Sequence, residues 1–369
     1  MRVALIHYWL VTMRGGEKVL EALLDLFPQA DIFTHVYAPE AVSAKIRAAR
    51  VSTTFIQKLP LATKAYQKYL PLMPLALEQL DLRGYDLVIS SESGPAKGVV
   101  TGTNTLHICY CHTPMRYLWD MYQDYLAASG PITRAAFRFF SHRLRLWDVA
   151  SARRVDYFAA NSRNVATRIA KYYGRKAEVI HPPVDVDFFS PQEGAFPEPE
   201  DYYLYVGQLI GYKRADLAVD ACTRMGKKLL VIGEGPERKR LEQTAGGAVT
   251  FLGKQEGDVL RRYMQRCKAL LFPGEEDFGI VPLEAMASGR PVIAYGKGGA
   301  RETVIPGKTG LLFQEQSVSS LCGALEDFAT VSGDFSAQTL REHAGNFSRE
   351  TFLQNFSAFY DRCRSAHAL

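Results

Sequence analysis

Short apolar, β-branched runs alternate with longer helical patterns along this chain, and the alternation occurs twice. Such a pattern points to α/β architecture, because parallel strands need a crossover helix between them. In the first series, strands are predicted over 3–7, 31–34, 86–90, 107–111 and 157–160, with helices over 17–27 and 132–153. Pro60, Pro71 and Pro74 leave the helices between 43 and 80 undefined. Near residue 180 the texture becomes proline-bearing and acidic, as in a connector. The second series predicts strands over 203–206, 228–232, 249–252, 269–272 and 291–294, with helices over 214–224, 237–245 and 281–287. A last helix covers 347–360. Its periodicity leaves open which half it packs on, and a return to the first half is one course.

A chain of 369 residues can form two domains of about 150–200 residues each. The expected division is a first domain over 1–182, a linker over 183–200, a second domain over 201–348 and a C-terminal helix over 349–369. Two doubly wound units facing a cleft place a ligand beyond the carboxyl ends of the strands.

The six cysteines are too few and scattered to brace such a chain, so a reducing interior fits. Cys109-Tyr110-Cys111-His112 lacks a second ligand pair at a zinc-like spacing, and no metal is expected. The chain enters a strand pattern at its first residues without a leader-like segment, and no apolar run approaches the ~20 residues of a bilayer span. The expectation is a cytoplasmic protein. Between 132 and 176, eleven Lys and Arg side chains stand against Asp148 and Asp156. Arg134, Arg138, Arg143 and Arg145 interleave there with Phe137, Phe139, Phe140, Leu144, Leu146 and Trp147. A core-packed helix with a solvated arginine face is one reading, and contact with anionic lipid or lipid phosphate is the other. The rest of the chain lacks a nucleic-acid recognition motif, so no nucleic acid is expected.

The most informative segment runs from Phe272 to Ala294. A strand ends in the polar turn Pro273-Gly274-Glu275-Glu276-Asp277-Phe278-Gly279, and a helix begins near Ile280. Glu284 falls inside that helix among apolar neighbours and asks for a hydroxyl or amino partner. Glu276 can reach ligand hydroxyls, and the adjacent helix start offers free N–H groups to an anion. The plain alternative is that Glu275, Glu276 and Asp277 only cap the helix. In the first half, Gly15 and Gly16 allow close backbone approach at a helix start after His7-Tyr8-Trp9. His112 follows a strand, as a cleft-facing residue does. Arg116, Tyr117, Trp119 and Asp120 continue into a loop whose aromatic faces suit sugar stacking. The turn Ser90-Ser91-Glu92-Ser93-Gly94 is a further strand end, either facing a ligand or lying on the surface.

Glu276 and Glu284, separated by seven residues with Phe278-Gly279 between them, resemble the signature of retaining glycosyltransferases of family 4, which have the GT-B fold of two Rossmann-like domains. The resemblance extends through Gly289-Arg290-Pro291-Val292-Ile293-Ala294, Gly298-Gly299, Glu302-Thr303-Val304 and Gly307-Lys308-Thr309-Gly310. It implies that Glu276 lies at the donor sugar, that Glu284 binds the nucleotide ribose, and that the backbone at Phe278, Gly279 and Ile280 meets donor sugar and phosphate. The run from Tyr205 to Asp216 resembles the family's diphosphate-binding loop, with Lys213 and Arg214 as its cations. Gln208 stands where many members carry arginine, which leaves open whether Arg214 helps or instead faces Asp216 and solvent. The resemblance also places Gly207, Gly233, Gly235, Phe251 and Leu252 near the nucleotide. It sets Gly15 and Gly16 by the donor phosphates and His112 by the transferring sugar. Tyr8, Trp9, Arg116 and Trp119 are acceptor-side candidates, and Arg134, Arg138, Arg143 and Arg145 are candidates for acceptor or membrane.

A departing nucleoside diphosphate develops negative charge that fixed cations stabilise, which is the work expected of Lys213. The family's chemistry is front-side transfer without a metal or a permanently bound cofactor. The pattern is most similar to bacterial mannosyltransferase-type members, which implies GDP-mannose as donor. It also implies a polyprenyl-diphosphate-linked saccharide or polysaccharide precursor as acceptor, and a peripheral position on the anionic inner face of the cell membrane. A UDP-sugar enzyme and a catalytically silent nucleotide-sugar-binding protein are the alternatives.

Overall fold

The computed structural model describes residues 1–191 and 196–367. The chain divides into two compact units, residues 1–182 with 352–369 and residues 183–351. Each holds one wholly parallel sheet. In the first unit, β1 (Val3–His7), β2 (Asp31–Thr34), β3 (Val51–Thr53), β4 (Leu87–Glu92), β5 (Leu106–Cys111), β6 (Tyr157–Ala160) and β7 (Ala177–Val179) lie in the order β3-β2-β1-β4-β5-β6-β7. In the second, β8 (Tyr203–Val206), β9 (Leu229–Ile232), β10 (Val249–Gly253), β11 (Leu270–Phe272), β12 (Val292–Tyr295) and β13 (Gly310–Phe313) lie in the order β10-β9-β8-β11-β12-β13. Both are doubly wound, and together they are the two-domain GT-B architecture.

Both faces of each sheet are covered, so central strands such as β1, β4, β5 and β9 are buried along their whole length. Along β1, Leu5 joins one core with the helix Gly15–Leu26, while Ala4 and Ile6 join the opposite core. Along β8, Leu204 and its neighbours Tyr203 and Tyr205 divide between two cores in the same way. Helix starts follow local chemistry. Glu17 accepts from the Arg14 amide at 2.9 Å, Ser162 caps the helix Arg163–Tyr173, and Pro131 opens the 22-residue helix Pro131–Ala152.

The C-terminal helix Arg349–His367 packs on the first unit. Phe352, Phe356, Phe359, Tyr360 and Cys363 are buried in that unit's core with Leu5, Val19 and Tyr110. The segment expected as a linker over 183–200 is instead structured against the second unit. It contains a short helix, Val186–Phe189, whose Val186 and Phe189 enter that unit's core together with Val184. Arg290 donates to the Pro197 carbonyl, and Arg266 Nη1 donates to Glu200 at 2.8 Å. Residues 192–195 of that segment, and 368–369 of the last helix, lie outside the described residues. Strands β3, β7 and β13 were not predicted; each is three or four residues long and lies at a sheet edge. No helix among the described residues is long and apolar enough to cross a membrane.

Candidate active site

In the second unit the strand order reverses between β8 and β11, so the loops after these two strands flank the topological switch point, where doubly wound sheets bind ligands. Lys213 comes from the loop after β8 and Glu276 from the loop after β11. Their side chains meet, with Lys213 Nζ 2.9 Å from Glu276 Oε1, and both are mostly screened from solvent. The loops touch along their backbones as well: a β-carbon on Gly274 would sit 2.9 Å from Lys213 Cα. Glu276 is held from the other side, its carbonyl accepting from the Gly299 amide at 2.8 Å.

The turn into the helix Ile280–Ala287 rests on Gly279, whose φ of +93° is a conformation that side-chain-bearing residues rarely adopt. Phe278 points inward, buried and packed on Phe347 at 5.8 Å between ring centres, and its backbone lies against Gly299. Glu284 is buried in the second turn of the same helix. Gly207, Gly233 and Gly235 gather at the carboxyl ends of β8 to β10. The Gly207 amide donates to Ile232 at 3.0 Å, the Gly233 amide donates to Gly253 at 2.8 Å, and the Leu209 amide donates to Glu234 at 2.9 Å.

Two readings are narrowed here. Arg214, a candidate diphosphate ligand, sits in the left-handed region and turns to Asp216, with Nε 3.0 Å and Nη2 2.9 Å from its carboxylate. Lys213 is therefore the cation that stands with Glu276. The Phe251 and Leu252 side chains pack against the cores on opposite faces of the sheet, leaving only their backbones for a nucleotide.

In the first unit the switch point lies between β1 and β4. Tyr8 follows β1, Ser91 and Glu92 end β4, and His112 follows β5. The Ser91 hydroxyl hydrogen-bonds His112 Nε2 at 2.8 Å, and the Glu92 carbonyl accepts from the His112 amide at 2.7 Å. Burial, aided by the neighbouring His7, lowers the His112 pKa to about 3, so its ring is neutral at physiological pH. Tyr8 stands edge-on to His112 with centroids 6.4 Å apart. Gly15 and Gly16 begin the helix after β1, and Gly16 lies directly beneath the Tyr8 hydroxyl. Trp9 leans on Tyr66, 4.7 Å between ring centres.

The remaining candidates are dispersed. Arg116 and Trp119 are half-buried in the loop after His112, where Trp119 Nε1 donates to Asp148 at 2.8 Å rather than lining an open pocket. Arg134 is spent on the carbonyls of Leu126 and Ser129, both at 2.9 Å. Arg145 donates to the Leu118 carbonyl at 2.6 Å and lies over the Tyr122 ring. Arg138 and Arg143 are exposed. On the same helix Ile132, Phe139 and Leu146 are 86 %, 62 % and 60 % exposed, at seven-residue intervals that put them on one face.

Sequence reasoning missed the buried polar group of Glu92, Lys97 and Asp148, and the buried pair His7 and Glu17, 3.7 Å apart. The one available signal was Asp148, a lone carboxylate within the basic helix. Cys109 and Cys111 are buried free thiols, and among the described residues no cluster of His, Cys, Asp or Glu is arranged to hold a metal.

Two parallel sheets of this order, with their ligand-type loops at the switch points, define a GT-B protein. The same fold occurs in Anabaena HepE in complex with UDP, with a TM-score of 0.72 at 18 % identity over 98 % of this chain and 100 % of that one. It occurs also in a sucrose-phosphate synthase from Thermosynechococcus elongatus, with a TM-score of 0.72 at 21 % identity over 99 % and 100 %. Residues 13–188 match the model for Glycosyltransferase Family 4, and residues 187–349 match that for Glycosyl transferases group 1. The two matches follow one another along residues 13–349, and both are to glycosyltransferase models. The chain is 30 % identical over 235 residues to a D-inositol 3-phosphate glycosyltransferase of Geodermatophilus obscurus, a match that takes in 56 % of this chain and 52 % of that protein. The match thus spans about half the length of such curated relatives.

Proposed function

We propose that this chain transfers a sugar from a nucleoside diphosphate to a hydroxyl with retention of anomeric configuration. The finer reading is mannose from GDP-mannose, passed to a lipid-linked or polysaccharide-precursor acceptor at the cytoplasmic face of the cell membrane. The observation that carries the reaction class is the Lys213–Glu276 pair at the switch point, beside the start of the helix Ile280–Ala287. An ammonium held there stabilises the departing diphosphate, and backbone N–H groups at the helix start add to it. Glu276 accepts from sugar hydroxyls, Glu284 from the ribose, and neutral His112 hydrogen-bonds the transferring sugar. In the transfer, the acceptor oxygen bonds to the anomeric carbon as the bond from that carbon to the phosphate oxygen breaks. The acceptor proton passes to the departing phosphate. Exposed Arg138 and Arg143, with the apolar face of their helix, favour an anionic membrane as the setting for a polyprenyl-diphosphate-linked acceptor.

A UDP-sugar is the second reading, favoured by the UDP bound in the structurally similar HepE. The test is a donor panel of GDP-mannose, UDP-glucose, UDP-galactose, UDP-N-acetylglucosamine and UDP-glucuronate, each incubated with a lipid extract, scoring nucleotide release and labelled lipid. Labelling from GDP-mannose that disappears with Glu276→Ala supports the full reading. Labelling from a UDP-sugar moves the donor, and tight binding without transfer supports a silent nucleotide-sugar binder.

A further inference from the structure

Three charged side chains in the first unit, Glu92, Lys97 and Asp148, have no solvent exposure at all. Glu92 ends β4, Lys97 lies five residues on, and Asp148 belongs to the helix Pro131–Ala152. The Lys97 ammonium contacts the Asp148 carboxylate and lies 3.5 Å from Glu92 Oε1, while its amide donates to Glu92 Oε2 at 2.7 Å. Tyr173 donates to Asp148 at 3.1 Å. Burying two carboxylates against one ammonium is expensive, and well-packed apolar side chains of similar size stabilise a fold at least as well. Core stability is therefore a poor account of this cluster.

Its connections suggest a better one. Glu92 carries the carbonyl that holds the His112 amide, and its neighbour Ser91 holds the His112 ring. Seven residues beyond His112, Trp119 donates to Asp148. The loop is thus tied to the same buried cluster near both ends. Arg168 adds ties at Asp120 and Thr113, 2.5 and 3.3 Å away. We infer that Glu92, Lys97 and Asp148 are positioning residues that set the loop from His112 to Asp120, and with it the orientation of the His112 ring. The inference rests on His112 acting on the transferring sugar only for its catalytic consequence; the structural consequence stands without it.

The test compares wild type with Asp148→Asn, which keeps the shape and an acceptor for Trp119 but removes the negative charge that faces Lys97, and with Lys97→Met. Histidine labelled with ¹⁵N in the ring reports tautomer and environment, with His112 assigned through His112→Asn and His35 as an internal control. Expected in Asp148→Asn is a cooperative melt, shifted His112 ring signals and unmoved His35 signals. With it goes a fall in kcat of about tenfold while the donor KM stays within about twofold. Lys97→Met is expected to move the same signals further. Unmoved His112 signals in a folded Asp148→Asn overturn the inference, whatever the melting temperature does. If the signals move and His112→Asn leaves transfer unchanged, the positioning stands and the catalytic reading of His112 fails.

Discussion

Lys213 and Glu276 are brought together by loops that leave two adjacent strands sixty-odd residues apart in the chain, and the two side chains neutralise one another at the switch point of the second sheet. An ammonium already fixed in place needs no reorganisation when negative charge develops beside it, which is what gives a preorganised cation its catalytic value.

Lys213→Ala is accordingly expected to lower kcat by about 10²–10³. The melting temperature should hardly move, because a partly exposed pair contributes about 0–1 kcal/mol. Steady-state transfer assays beside thermal melts check this. A loss confined to donor KM would show that Lys213 binds ground state and transition state alike.

Gly279→Ala forces a β-carbon onto a residue at φ +93°. The expected loss is about 1–2 kcal/mol of stability. Because the strain falls between Phe278 and the helix start, donor affinity should weaken too, and calorimetric titration with nucleotide reads it. Unchanged affinity would place the nucleotide elsewhere.

Burial lowers the pKa values of His35, His107 and His112 to about 3, 4 and 3. The unfolded chain binds these protons near 6.5 and the folded chain does not, so their contribution is whole above 6.5 and is lost as pH falls through 4 toward 3. Glu92, raised to about 7 by burial, works in the opposite sense: its contribution is present below 4.5 and is lost as pH rises through 7. Urea unfolding at pH 7 and pH 5 separates them. His35→Gln should lessen the acid loss and Glu92→Gln should deepen it. Slopes identical to wild type would contradict both assignments.

Ile132, Phe139 and Leu146 form the exposed apolar stripe beside Arg138 and Arg143. Full burial of such a side chain is worth about 1.5–3 kcal/mol, so replacing all three by Ser should weaken binding to phosphatidylglycerol vesicles by well over tenfold, with about the same melt. Wild-type binding should also fall with added salt. Equal sedimentation of the variant and wild type with vesicles would remove the membrane from the proposal.

The repeated strand–helix rhythm made both sheets legible, since buried parallel strands such as Leu229–Ile232 and Val292–Tyr295 announce themselves by apolar runs. Glu276 and Lys213 were legible through their motifs. Edge strands like Val51–Thr53 were not, because pairing with a neighbour, rather than composition, makes them strands. For Arg214 the sequence left two courses, the donor or Asp216: two residues apart, a cation and a carboxylate can face each other or part, and a left-handed backbone at Arg214 decides. The Glu92–Lys97–Asp148 cluster draws on positions spread over more than fifty residues, and nothing local marks their convergence.

The C-terminal helix gives the chain an order in time. Residues 183–351 hold everything their own unit needs, whereas the first unit, begun at residue 1, lacks Phe352, Phe356 and Phe359 until the last stretch is synthesised. Until those residues join it, the core that Leu5 shares with the helix Gly15–Leu26 is incomplete, whereas the second unit draws on none of residues 352–369. A chain cut after residue 351 is therefore expected to keep the second unit folded while apolar surface of the first lies open.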